Sequence, residues 1–290
     1  MRKKQTFAAS DYTKNMLPQN RKEIFRDVMQ LHWQKLLLLG MIFLLFYTPI
    51  LLVTLGYDTY TAQIHSILPT LDSTDQYAAI HSVIMVDIFR SVLLIPLLIL
   101  LSVALSGITR TLRQYAWEEN VHIPTDFAKG IRDNFLHTAS LAALSGLIYT
   151  LCLSVYYTAD AYPSDLLSTI SLLPIAISLF FILPIFAIGL VMIPVYTNRL
   201  FTTIKNAWFL YTRHCLKCLG FLLLCLLLWV PSLLPNIYCH ISGSIGAALL
   251  TPIALLAWTL FCYDRFDESL NPLVCPELIG KGTFPNREEE

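Results

Sequence analysis

The sequence predicts an all-α, polytopic membrane protein: six transmembrane helices and amphipathic helices on the cytoplasmic surface, with shared borders that a three-fold repeat of helical hairpins would give. Three observations predict it. Hydrophobic residues make up 56% of the 290 residues and charged residues only 14%, outside the range of a soluble domain. The apolar residues gather in runs of about 20, enough for a helix to cross a hydrocarbon core about 30 Å thick. The basic residues fall between those runs in alternation, so that 19 of the 20 Lys and Arg share one side of a six-span chain.

Residues 1–20 are polar, basic and aperiodic, and read as a mobile tail. The first apolar run follows a long basic lead with no small-residue cleavage pattern after it, so no removable leader is expected. From 21 to 34 the pattern is amphipathic, with Ile24, Phe25, Val28, Leu31 and His32 on one side and Arg21, Lys22 and Arg26 opposite. The first span is 36–56, with Pro49 as a kink point. Residues 57–76 carry three aspartates and no Lys or Arg, and read as an outer loop. A second helix starts near Tyr77, and its apolar run is 91–108.

The stretch 109–135 then returns to the basic side. Pro124 and Thr125 open a helix, Asp126 sits in its first turn where the helix dipole favours an anion, and Phe127, Ile131 and Phe135 recur every fourth residue. The third span is 135–157, followed by an acidic turn at 158–165 and a fourth span at 172–195 with prolines at 174, 184 and 194. Residues 197–217 are again basic and amphipathic. The fifth and sixth spans are 219–234 and 245–263, the fifth being short unless it takes residues from 213–218. The chain thus divides into a cytoplasmic tail at 1–20, a membrane domain at 21–263 and a polar cytoplasmic tail at 264–290.

Lys and Arg number eight before the first span, four in 109–135, four in 197–217 and three after 264; Arg90 is the exception. Both termini are therefore expected in the cytoplasm, with the protein in the plasma membrane. The seven cysteines lie in apolar runs or on the cytoplasmic side, except Cys239, so no disulfide framework is expected.

The three odd spans share a preface: FRDVMQLHW at 25–33, FAKGIRDNF at 127–135 and FTTIKNAW at 201–208. The even spans share an exit, in which Pro96, Pro184 and Pro252 precede Arg110, Arg199 and Arg265 by 13 to 15 residues. Three copies of one unit would give this pattern. Convergence of unrelated spans on aromatic and basic borders would give it too.

Candidate chemistry is sparse. Asp87 and Arg90 share a helix face and read as an ion pair near the outer interface. The Cys215-Leu-Lys-Cys218 spacing has no second pair to complete a zinc site. No nucleophile, phosphate-binding or dinucleotide motif occurs, so neither an enzyme nor a cofactor is expected. The spans hold almost no Asp, Glu, Lys or Arg, whereas proton-coupled carriers place such groups at mid-depth. Small residues such as Ser140, Ser145, Gly146 and Thr150 point to close helix packing instead. The residues that read as a partner-docking or lipid-facing surface are Arg110, Arg113, Glu118, Asp126, Phe127, Lys129, Arg132 and Asn134.

Arg110, Arg113, Trp117-Glu118-Glu119, Val121, Asp126-Phe127, Ile131-Arg132 and Asn134-Phe135 together resemble the first cytoplasmic loop of the YesL-like bacterial membrane proteins. Phe266-Asp267, Leu270-Asn271-Pro272 and Pro276-Glu277 are similar to the tails of related clostridial-type proteins. Such proteins are found beside binding-protein-dependent sugar transporters in Gram-positive bacteria, so the resemblance implies a role near carbohydrate uptake. It transfers no catalytic or ligand residue. This chain is longer, with an extended basic N-terminus and a polar first outer loop. The expected function is an accessory or subunit of a transport system, whose partners are the lipid bilayer and a membrane transporter, with no nucleic acid. The alternative is a self-contained small-solute transporter or channel.

Overall fold

The computed structural model describes residues 18–284, except 118, 161–164, 197–198 and 235. The described residues are mostly helical with no strand among them, and six helices are long and apolar enough to cross a membrane. The mobile tail expected at 1–20 lies almost wholly outside the described residues.

Helix α1 (Arg21–Ile67) starts at a reciprocal cap. The Asn20 side chain accepts the Glu23 amide at 3.0 Å, and the Glu23 carboxylate accepts the Gln19 amide at 2.6 Å. No Gly or Pro separates the amphipathic lead from the span, so the two form one helix of 47 residues rather than a surface helix and a span. The helix also runs on through 57–67, which composition reads as loop. Only the 3-10 turn Leu68–Thr70 and two further residues separate it from α2 (Ser73–Ala116).

Helix α3 (Ile123–Asp160) repeats the arrangement, its lead again continuous with the span. The fourth span is built from α4 (Asp165–Ile177), a π turn (Ser178–Ile182) and α5 (Leu183–Met192). Pro184 has no amide hydrogen to give the carbonyl four residues back, that of Phe180. The Tyr211 hydroxyl donates to that carbonyl instead. Tyr211 belongs to α6 (Leu200–Arg213), which doubles back along α5: its Thr203 lies against Gly189 at one end and Tyr211 against Phe180 at the other. This third lead is the one that forms a separate helix, because the backbone breaks at His214 before α7 (Cys215–Leu226). Beginning at Cys215 and continuing through a 3-10 segment (Leu227–Leu233), the fifth span takes in the residues it needs to cross. Helix α8 (Ile237–Ser269), capped by the Asn236 side chain, and the short α9 (Asn271–Val274) follow.

Packing is inverted relative to a soluble protein. Leu45, Leu52, Leu136 and Leu173 on the outer surface are 60% or more exposed, a belt that only a hydrocarbon environment satisfies. Between the helices lie small polar residues, Ser102, Ser106, Thr111, Thr138 and Ser244, all fully buried. Most bond back to their own helix, as Thr111 does to the Gly107 carbonyl at 2.9 Å. Thr150 instead crosses from α3 to the Ser91 carbonyl of α2 at 3.0 Å.

The even spans meet one another: α2 touches α5 and α8, and α5 touches α8. Helix α3 packs on α2 and α1 packs on α8, while the fifth span, α7 with its 3-10 segment, packs mainly on α8 and touches α5 less.

Candidate functional site

Call the end of the bundle that carries Arg21, Arg113, Arg199 and Lys281 the basic end. Its geometry follows from one helix crossing. A Cβ added at Gly107 of α2 would lie 2.4 Å from the Phe127 ring, and one added at Gly130 of α3 would lie 2.7 Å from the Ser106 carbonyl oxygen. The two glycines let α2 and α3 approach backbone to backbone. Residues three and four along from each glycine share its helix face, so the crossing brings Arg110 beside Asp133 and Asn134. Arg110 bonds Asp133 at 3.1 Å.

One turn further along α2, Arg113 donates to the Pro194 carbonyl at 2.6 Å and lies 4.5 Å from the centre of the Trp117 ring. The turn after α5 thereby closes over the crossing. Together these groups line a half-open cavity of about 400 Å³, with Arg110, Arg113, Asp133, Asn134, His137, Ile193, Tyr196 and Arg199 among its walls. Three guanidinium groups face one carboxylate. Nε of Arg110, Nε of Arg113 and Nδ2 of Asn134 are buried and have no hydrogen-bond partner among the described residues.

A hydrogen-bonded chain leaves the cavity wall. The Tyr196 hydroxyl donates to Asn271, whose Nδ2 donates to Asp267 at 2.6 Å, and Asp267 accepts from Arg21 at 2.9 Å. Burial pushes the Tyr196 hydroxyl well above its ordinary pKa, so it remains a donor. Arg21 is buried at the centre of a latch. It also donates to the Lys281 carbonyl at 2.6 Å and to the Ala116 carbonyl at 3.4 Å. The C-terminal segment reaches this point because Gly280 and Gly282 adopt positive φ, 65° and 90°, and Gly282 sits against the Ala116 carbonyl where no Cβ would fit. Lys281 lies 3.7 Å from the centre of the Trp117 ring, and the Phe284 amide bonds the Pro18 carbonyl at 2.9 Å. The polar segment after 264, as far as it is described, is therefore a packed strap and not a free tail.

Seven of the eight residues read from sequence as a docking surface are described, and they separate into three groups. Arg110, Arg113 and Asn134 enter the cavity. Asp126 and Phe127 serve the fold: the Asp126 carboxylate accepts the His122 amide at 2.7 Å and Gln114 Nε2 at 3.1 Å, while Phe127 fills the space beside Gly107. Lys129 and Arg132 remain exposed on α3. Glu118 lies outside the described residues. Sequence reasoning missed His137, Tyr196 and Arg199 as cavity walls and Arg21 as the latch. The repeated exit arginines, Arg110 and Arg199, were the one signal that could have joined the two across the chain.

At the opposite end, Arg90 bonds Asp58 of α1 at 2.6 Å, lies 3.6 Å from Asp87 on its own helix and reaches Tyr157 of α3 at 3.5 Å. The pair read from sequence is thus part of a three-helix tie. In the Cys215–Cys218 pair the first cysteine is exposed and the second buried, and no group of three His, Cys, Asp or Glu positioned for a metal occurs among the described residues.

Fold and site define a polytopic all-α membrane protein with a donor-rich cavity at one end. No protein-family model, curated protein or solved structure matches the chain.

Proposed function

We propose that the chain is an accessory or subunit of a membrane transport system, held in the plasma membrane with its basic end and both termini in the cytoplasm. It acts as a non-catalytic docking element and not as the permeation path. The observation that carries this reading is the absence of carboxylate and basic side chains other than histidine from the spans: no Asp, Glu, Lys or Arg occurs in 36–57, 91–109, 134–159, 166–198 or 218–263. Proton-coupled carriers usually place such groups at mid-depth. The donor-rich geometry instead sits at the basic end, where the strap, the α2–α3 loop and the start of α1 are locked into one platform. The resemblance to YesL-like proteins supports carbohydrate uptake as the system served.

The test combines topology with contact. A Lys129→Cys variant should react with a membrane-impermeant thiol reagent only after permeabilisation, relative to the parent protein. A crosslinker on that cysteine should capture the membrane subunit of a solute transporter in intact cells. Labelling from outside, or no membrane-protein adduct, overturns the reading.

A second reading, a self-contained small-solute transporter, draws on one feature. A cavity of about 300 Å³ between α2, α3 and α4–α5 is lined by Leu98, Ser145, Gly146, Tyr149, Ser178 and Leu183 among others, beside the π turn. π turns often mark functional sites. Solute uptake by liposomes containing only the pure protein would favour this reading over the first.

A further inference from the structure

We infer that the cavity at the basic end is a binding site for a phosphate monoester, seated between Arg110, Arg113 and Arg199 and bonded by the Asn134 amide. The inference does not depend on the accessory role, because it rests on the cavity alone.

Charge selects the class of ligand. Of the charged side chains that line the cavity, Arg110, Arg113 and Arg199 are positive and Asp133 is negative, leaving two positive charges in excess. His137 is the other titratable wall besides Tyr196. Glu119 from the α2–α3 loop and Asp126 from the first turn of α3 act on Arg113 but do not line the cavity, and Asp126 is already held by Gln114 and the His122 amide. A carboxylate would neutralise one of the two charges. A phosphate monoester carries about 1.5 to 2 negative charges at neutral pH and matches both. The planar forks of arginine suit its oxygens, which accept paired N–H donors.

Unused donors point the same way. Asn134 is 7% exposed, yet its Nδ2 has no acceptor among the described residues. Leaving such a group buried and unbonded is costly, and an anion in the cavity removes the cost. Arg110 Nε and Arg113 Nε stand in the same position. Arg199 is exposed and makes no ion pair among the described residues, so its charge is free for a ligand. The cavity volume of about 400 Å³ leaves room for the group that the phosphate is carried on.

Two sources supply this chemistry, phosphatidic acid in the bilayer and a soluble phosphate ester, and the experiment separates them. The full-length protein in neutral detergent is titrated with glycerol 3-phosphate at constant ionic strength, with chloride as the control. In parallel, protein from nanodiscs containing phosphatidic acid or only phosphatidylcholine is examined for retained lipid by native mass spectrometry. Arg199→Gln, an exposed change that should leave the ligand-free melting temperature unaltered, and Asn134→Ala should each weaken binding about tenfold. Saturable binding of glycerol 3-phosphate that weakens in both variants supports the site with a soluble ligand. Retention of phosphatidic acid alone, lost in both variants, supports it with a lipid ligand. Failure of both ligands to bind, or binding unchanged in both variants, overturns the inference.

Discussion

Replacing Gly130 with alanine adds one methyl group to α3 at the point where it crosses α2. An ideal Cβ there lies 2.7 Å from the Ser106 carbonyl oxygen and 2.9 Å from Gly107 Cα, whereas ordinary contact begins at 3.4 Å, so the helices must part by about 0.7 Å. Both obstacles are backbone atoms, which cannot rotate aside as a flexible side chain would. Overpacking of this kind costs about 1–3 kcal/mol. Alanine's better helix propensity returns about 1 kcal/mol, leaving a net loss of up to about 2 kcal/mol. Gly220→Ala in α7 is the matched control, because nothing lies within 4 Å of a Cβ at that position. The assay is thermal unfolding of the two variants and the parent in one detergent. The Gly130 variant should melt lower by several degrees, and the Gly220 variant at or above the parent. Moving Arg110 away from Asp133 and Asn134 should also weaken glycerol 3-phosphate binding in the Gly130 variant alone. Equal melting of the two variants would refute the reasoning, since it would mean that the crossing is not held at backbone distance.

Two further outcomes follow from the basic end. Arg21→Gln removes a buried guanidinium that bonds Asp267 and the Lys281 and Ala116 carbonyls, and breaking such a pair costs about 3 kcal/mol or more. The strap should come loose, so trypsin should cut after Lys281 faster than in the parent; unchanged cleavage would show that other contacts hold it. His214 titrates between Ser269, at 2.8 Å, and Glu268, with Arg213, Lys217 and Arg265 nearby. Burial lowers its pKa below 6.5 despite the opposing pull of Glu268, so the folded protein favours the neutral ring. Its contribution to stability is therefore present above about pH 6.5 and is lost as the pH falls through the lower, folded value. Acidification from pH 7.5 to 5 should lower the melting temperature of the parent more than that of His214→Gln, and parallel curves would count against it.

Apolar run length and the placement of Lys and Arg made the six spans legible in the amino-acid sequence alone. Helix continuity was less so. Composition reads 57–76 as loop because its residues are polar, but α1 persists to Ile67, since polarity alone does not break a helix and no Gly or Pro intervenes between 57 and 67. The shared prefaces at 25–33, 127–135 and 201–208 look alike in sequence, yet the first two run straight into their spans and the third folds back on α5. What separates them is the carbonyl freed by Pro184, which Tyr211 is placed to satisfy.

The candidate site was half legible. Arg110, Arg113 and Asn134 stood out because charge and amide groups cluster on one short stretch. Lys129 and Arg132 looked equivalent to them in sequence, but the helix face that carries Gly130 turns Asn134 inward and leaves those two in solvent. Which of several basic residues becomes part of a cavity depends on which face lies against a neighbour, and that depends on the crossing.

By itself the sequence determined the material of this protein: apolar segments of membrane-spanning length, basic residues gathered between them in alternation, and spans empty of Asp, Glu, Lys and Arg. Those are local properties, readable because bilayer thickness and the cost of burying charge act on each segment separately. The tertiary structure decided what is shared between segments. Arg199 and Arg110, far apart in the chain, line one cavity; Arg21 meets Lys281 from the other end of the chain; and a strap with two glycines at positive φ closes over Trp117. Such meetings require helices to approach at particular faces and distances, and small residues at the crossing points set those distances.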